Sequence, residues 1–144
     1  MTKERLLMMK KTRITLILAM LFMLLLSGCG AVKFEINSSS KKASIKISDV
    51  EDGTYAEIST MTVSGGKTVH IDSSLNKGKL KIEFAEAILV SSADEVDEYV
   101  AGNIVETVEV GPGENLEVTI DPGRYVVQLT TVGQTEGTVE ININ

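Results

Sequence analysis

Residues 116–129, LEVTIDPGRYVVQL, decide the fold class. Leu116, Val118 and Ile120 alternate with Glu117, Thr119 and Asp121. Tyr125, Val127 and Leu129 resume the alternation after Asp121-Pro122-Gly123. A period of two puts successive side chains on opposite faces of an extended chain, so each half reads as a strand with one face turned to a core. Pro122 pre-sets its own φ and Gly123 tolerates positive φ, which makes the three residues between the halves a turn.

The same grammar extends outward in both directions. Downstream, a turn is expected from Gly133 to Gly137, leading to Val139, Ile141 and Ile143. Upstream, Ile104, Glu106, Val108 and Val110 alternate until Gly111-Pro112-Gly113, with Glu106 breaking an otherwise apolar face. Residues 94–99 read as an acidic loop, and 86–90 either continue a strand or begin a short helix. Leu80, Ile82 and Phe84 form a strand after a turn at Asn76-Lys77-Gly78. Val69 and Ile71 point inward after a hairpin turn at Gly65-Gly66. Between Tyr55 and Val63 the apolar set changes phase, from Ile58 to Met61, which predicts a bulge. Ala43, Ile45 and Ile47 face one side ahead of a turn at 49–53. Val32, Phe34 and Ile36 also alternate, so residues 31–37 read either as a first strand or as part of a tether covering 30–42.

No segment carries a sustained helical period. The expected fold is all-β, an antiparallel β-sandwich of jelly-roll-like form with about eight strands, following an N-terminal signal helix. The expected organisation is a signal peptide over 1–28, a lipidated Cys with a short tether or first strand over 29–42, and the β-sandwich over 43–144.

Residues 1–28 differ in kind from the rest. A basic head, MTKERLLMMKKTR, precedes ITLILAMLFMLLL at 14–26, which is apolar except for Thr15. A basic region, an apolar region and small residues ahead of a cut site describe a secretory signal. A membrane anchor is the competing reading. Thirteen residues of helix span only about 20 Å at roughly 1.5 Å per residue, short of a hydrocarbon core of about 30 Å.

Leu26-Ser27-Gly28-Cys29 resembles the lipobox of bacterial lipoproteins. The resemblance implies that a diacylglyceryl group is added to the Cys29 thiol, that cleavage follows Gly28, and that Cys29 becomes the first residue. Thioether formation requires a thiolate, hence a cysteine. Cys29 is the single cysteine of the chain, so no internal disulfide is available. The implied partner is a lipid bilayer, reached through acylated Cys29, and the implied location is the cell membrane, facing away from the cytoplasm. Pro122-Gly123-Arg124-Tyr125-Val126-Val127-Gln128-Leu129, with Gly137-Thr138-Val139-Glu140-Ile141, also resembles the closing hairpin of small secreted jelly-roll modules of the pre-peptidase C-terminal kind. That likeness implies a fold and transfers no ligand.

Beyond residue 28 the chain holds nine basic and 19 acidic groups. This balance argues against a nucleic-acid partner, since phosphate binding depends on Lys and Arg. It gives no attraction to anionic lipid headgroups either, so attachment must come from the acyl chains. Aromatic residues are 4% of the chain and Trp is absent, which limits stacking on sugars.

Candidate chemistry is sparse. His70, the one histidine, lies between Val69 and Ile71 and is read as a surface residue on the polar strand face. Neither a second His nor a free mature Cys is present to build a triad or a zinc site with it. Asp94, Glu95, Asp97 and Glu98 form the densest acidic cluster and the candidate cation site, since calcium takes several oxygen ligands from a flexible loop. The run lacks the alternating order of known calcium loops. Asp49, Glu51, Asp52 and Gly53 make a weaker case and read as a turn. Gly65-Gly66-Lys67-Thr68 lacks the upstream glycine and the helix of a phosphate loop. Paired carboxylates for glycoside hydrolysis depend on the fold, and the short chain and scarce aromatics count against them. No cofactor is expected. The function read from the sequence is a membrane-tethered, non-catalytic binding or envelope-associated module with an envelope protein or glycan as partner. The alternative is a calcium-stabilised carbohydrate-binding domain. Exposed sheet edges also predict weak self-association.

Overall fold

The structure is a computed structural model that describes residues 33–144, residue 95 excepted. The expected signal helix, the expected cleavage position at Gly28-Cys29 and Glu95 therefore lie outside the described residues. Seven antiparallel strands make the domain: β1 (Phe34–Ser38), β2 (Lys42–Val50), β3 (Tyr55–Val63), β4 (Val69–Ala93), β5 (Val96–Val110), β6 (Asn115–Val118) and β7 (Gly123–Ile143). The described residues contain no helix.

Two long strands, β4 and β7, run side by side through both layers of the sandwich, paired from Val69↔Ile143 to Glu86↔Tyr125. Around residues 69–77 and 135–143 they are flanked by β6, β2 and, beyond β2, β1. Farther along, β7 takes β3 on its outer side and β4 takes β5. A single sheet thus folds over on itself, and the apolar faces of both halves meet in one core. Ile45, Ile71 and Ile141 from one half and Ile58, Ile82, Phe84 and Leu129 from the other are all buried in that core. Each such side chain contributes on the order of 1.5–3 kcal/mol when fully buried. The Thr62 amide donates to the Ser40 carbonyl at 2.8 Å, joining β3 to the β1–β2 turn across the open side of the fold.

Alternation in the sequence is matched by alternation in burial. Ala43, Ile45 and Ile47 are buried, as are Val69 and Ile71, and the phase change in β3 coincides with a register shift between Ile58 and Met61. Residues 34–38 form a strand paired with β2.

The strand count differs from expectation, seven against about eight. Two segments expected to turn, at 76–78 and 133–137, instead lie within β4 and β7. They are the bulged waist where both strands pass from one layer to the other, marked by register shifts between Leu75 and Lys77 and between Lys77 and Lys79. Gly78, Gly133 and Gly137 all have positive φ there. A positive-φ glycine serves a bulge as well as a turn, so residue type alone does not separate the two. It follows that residues 122–129 and 137–141 belong to one continuous strand and its entry, and do not form a closing hairpin. Gly65-Gly66 is likewise a crossover turn, because β3 pairs with β7 and not with β4. Residues 86–90 continue β4 as strand. Of the acidic segment 94–99, Asp94 lies in a turn and residues 96–99 are already in β5.

The waist is close-packed. A Cβ on Gly137, at φ 130°, would come within 2.5 Å of Leu75 Cα and 2.6 Å of the Ser74 carbonyl. On Gly78 it would meet the Gln134 carbonyl at 2.4 Å. Beside the waist, Lys77 Nζ reaches Asp49 Oδ1 at 2.8 Å and Gln134 Nε2 donates to the same oxygen at 2.7 Å. The hydrogen bond from Lys77, then that from Gln134, holds the Asp49 carboxyl below its ordinary value, and the same contact raises Lys77. Asp49, Glu51 and Asp52 are therefore turn-building residues. Thr131 Oγ1 donates to the Glu51 carbonyl at 2.6 Å and accepts from the Thr54 amide at 2.9 Å, and the Gly133 amide donates to Asp52 Oδ1 at 2.7 Å.

Candidate functional site

Past Glu86 and Tyr125, β4 no longer pairs with β7. It continues to Ala93, turns at Asp94, and returns as β5. Among the described residues, 87–93 and 96–101 thus pair only with each other, as a two-stranded arm leaving the sandwich. The turn is tight: Asp94 sits at φ 51°, a conformation that Asp tolerates better than most residues.

This arm is apolar where strands of a solvated sheet are usually polar. Ile88, Leu89, Val90, Val96 and Val100 are all exposed, and with Ile104 and Val105 just below the arm on β5 they make seven of the nine large hydrophobic side chains left in solvent among the described residues. Ile88 lies opposite Val100, and Leu89 opposite Tyr99. Adjacent pairs point to opposite faces, so both faces of the arm carry apolar side chains. Val96 and Val90 are more than half exposed, at 63% and 56%. Contiguous exposed apolar side chains of this kind are characteristic of contact surfaces.

One cation holds the arm to the body. Arg124, at the start of β7, stacks on the Tyr99 ring with its guanidinium carbon 4.8 Å from the centroid, and its Nη1 donates to the Tyr99 hydroxyl. Beside this contact lies an open groove of about 330 Å³, lined by Ser59 and Thr60 from the β3 bulge and by Val90, Asp97, Glu98, Tyr99 and Val100 from the arm. The groove offers hydroxyls, carboxylate oxygens and an apolar wall.

The residues singled out in the sequence are distributed as follows. Asp94 is in the arm turn, and Asp97 and Glu98 are consecutive exposed residues of β5, so the pleat directs them to opposite faces. The Tyr99 hydroxyl donates to Asp97 Oδ2 at 3.4 Å. Glu95 and Cys29 lie outside the described residues. Among the described residues no group of three or more His, Asp or Glu side chains is placed around one metal position. His70 is partly exposed, with its Nδ1 4.0 Å from Glu117 Oε2 on the neighbouring β6.

No protein-family model matches the chain, and no curated protein matches it. Among solved structures it is similar to the Drosophila melanogaster CENP-C cupin domain, at 9% identity and a TM-score of 0.37, over 81% of this chain and 73% of that one. No property of that domain is carried over.

Sequence reading missed the arm because its tip was assigned to a loop. The signal was nevertheless present. Between Lys81 and Arg124 the chain carries eleven carboxylates and no Lys, Arg or His. Within that stretch, residues 87–93 and 99–105 are uncharged and rich in aliphatic residues.

Proposed function

We propose that this chain is an extracytoplasmic lipoprotein, held on a cell membrane by diacylated Cys29, whose β-sandwich acts as a non-catalytic binding module of the envelope. The observation that carries the reading is Leu26-Ser27-Gly28-Cys29 directly after a 13-residue apolar run and a basic head. A thiolate at residue 29 supplies the nucleophile for thioether formation. Each buried methylene contributes roughly 0.8 kcal/mol and two acyl chains hold a protein stably, so the anchor needs no help from the acidic domain.

The binding half of the proposal is supported by the arm, an apolar surface that the fold itself does not cover. The non-catalytic half is supported by the placement of His70, which faces Glu117 on the surface of a regular sheet. Fractionation of cells producing the chain tests the anchor. The natural protein is expected in the detergent phase of a phase-separating extraction, and Cys29→Ser is expected to move it to the aqueous phase or leave it as precursor. Equal partitioning of the two, with Cys29→Ser processed to the same N-terminus, would overturn the reading.

A further inference from the structure

We infer that the free edge of the arm accepts an extended segment of a partner protein, apolar at its centre and flanked by Lys or Arg, which adds as a further strand beside β5. The inference deepens the binding-module reading and rests on it for the setting alone.

Three observations meet at this edge. First, β5 ends the strand order β1-β2-β7-β4-β5, so among the described residues no strand pairs with the backbone groups on its outer side. Natural proteins usually blunt such an edge with lysines, prolines or short length. Here β5 runs 15 residues without a Lys, Arg or Pro. Second, Val100, Ile104 and Val105 stand exposed along that edge strand, giving an added strand apolar contacts on both faces. Backbone pairing supplies affinity in this mode of recognition, and the alternating side-chain contacts supply selectivity.

Third, charge selects the occupant. Asp97 and Glu98 precede the uncharged segment 99–105 and Glu106 follows it. Among the described residues Arg124 and Lys79 are the cations in contact with β5 side chains, Tyr99 and, at 3.5 Å, Glu109, and Lys81, opposite Glu109, is paired with Glu83 on its own strand. A second copy of the chain would bring the same carboxylates. In antiparallel pairing centred on Gly102, Glu98 falls opposite Glu106 of the other copy, and like charges directly opposite destabilise a sheet. A bilayer is disfavoured on the same ground, because the acidic tip would have to enter the headgroups. A strand with basic ends complements both flanks and gains rate and specificity from it.

The test uses the lipidated chain in phosphatidylcholine nanodiscs, with empty nanodiscs as background. The probe is a labelled peptide of alternating valine and threonine between two lysine pairs, followed by fluorescence anisotropy. Binding is expected. It should be lost when a proline replaces the central valine and when glutamates replace the lysines. Val100→Lys and Ile104→Lys, at exposed positions, should each weaken binding by about tenfold or more, and Asp97→Lys with Glu98→Lys should do the same. Absence of binding would overturn the inference, as would equal binding of the glutamate-flanked peptide. So would a dimer abolished by Val100→Lys, which assigns the edge to a second copy. Vesicle attachment of the Cys29→Ser chain that is lost in Val100→Lys would also overturn it, assigning the arm to the bilayer. Processing at Cys29, read separately by mass, is untouched by any of these results.

Discussion

Arg124 lies over the ring of Tyr99, 4.8 Å from its centroid, and joins the start of β7 to a hairpin that has otherwise left the sheet. An isolated two-stranded hairpin is marginal in water, so a single cation–π contact of about 0.5–1 kcal/mol is enough to matter locally. Arg124→Ala is expected to accelerate hydrogen exchange in residues 96–101 several-fold. Global stability should change by less than about 1 kcal/mol, since the contact lies outside the core. Unchanged exchange in the arm would show that Arg124 does not restrain it.

The waist depends on two glycines for steric reasons that differ from those of ordinary turn glycines. Gly137→Ala places a methyl group 2.5 Å from Leu75 Cα, and Gly78→Ala places one 2.4 Å from the Gln134 carbonyl, both against backbone in a positive-φ conformation. Strain of about 1–3 kcal/mol from the dihedral alone is compounded by the clash, so losses of about 3 kcal/mol or more are expected in urea unfolding. Gly53→Ala is the control. Its φ is also positive, 74°, but nothing lies within 4 Å, and about 1 kcal/mol is expected.

These glycines also show how much of the fold was legible in the sequence. Period-two alternation identified the strands from Ala43 onward and even the β3 bulge, because burial imposes that pattern directly. Connectivity was not legible. Gly78 and Gly137 carry the same local signature whether the chain reverses or merely bulges, and the difference is set by which distant strand lies alongside. The arm was hidden for a related reason. Asp97 and Glu98 look like loop residues, yet cross-strand pairing with Ser92 and Ser91 makes them strand. The resemblance of Leu26-Ser27-Gly28-Cys29 to a lipobox, by contrast, rests on a local motif and needs no tertiary context to be read.

Thr131 is buried and its hydroxyl fastens the β2–β3 turn through the Glu51 carbonyl and the Thr54 amide. Thr131→Val keeps the shape and removes both bonds. A loss of about 1 kcal/mol is expected, since the Thr54 amide is left without its side-chain partner while the exposed Glu51 carbonyl still accepts from the Thr54 hydroxyl at 2.9 Å. Chemical denaturation of the two proteins side by side measures it, and a valine variant as stable as the parent would refute this role.

The Asp49–Lys77 contact gives the acid limb of stability a defined origin. The folded-state pKa of Asp49 is lower than its ordinary 3.8, so its contribution is present above that value and is lost as pH falls through the folded value. Lys77 is raised, so its contribution persists below its ordinary 10.5 and is lost as pH rises past it. Asp49→Asn is therefore expected to flatten the fall in stability below about pH 4 and to leave the slope near neutrality unchanged. Both groups are exposed, so added salt should shrink the effect. Parallel acid limbs in the two proteins would contradict the assignment.

Intact-mass spectrometry of the protein recovered from its native membranes tests the central claim most directly. The lipoprotein account predicts a polypeptide that begins at Cys29 and carries the added mass of a diacylglyceryl group on its sulfur. A chain of full unprocessed mass, with a residue 29 thiol that still reacts with maleimide, would contradict it.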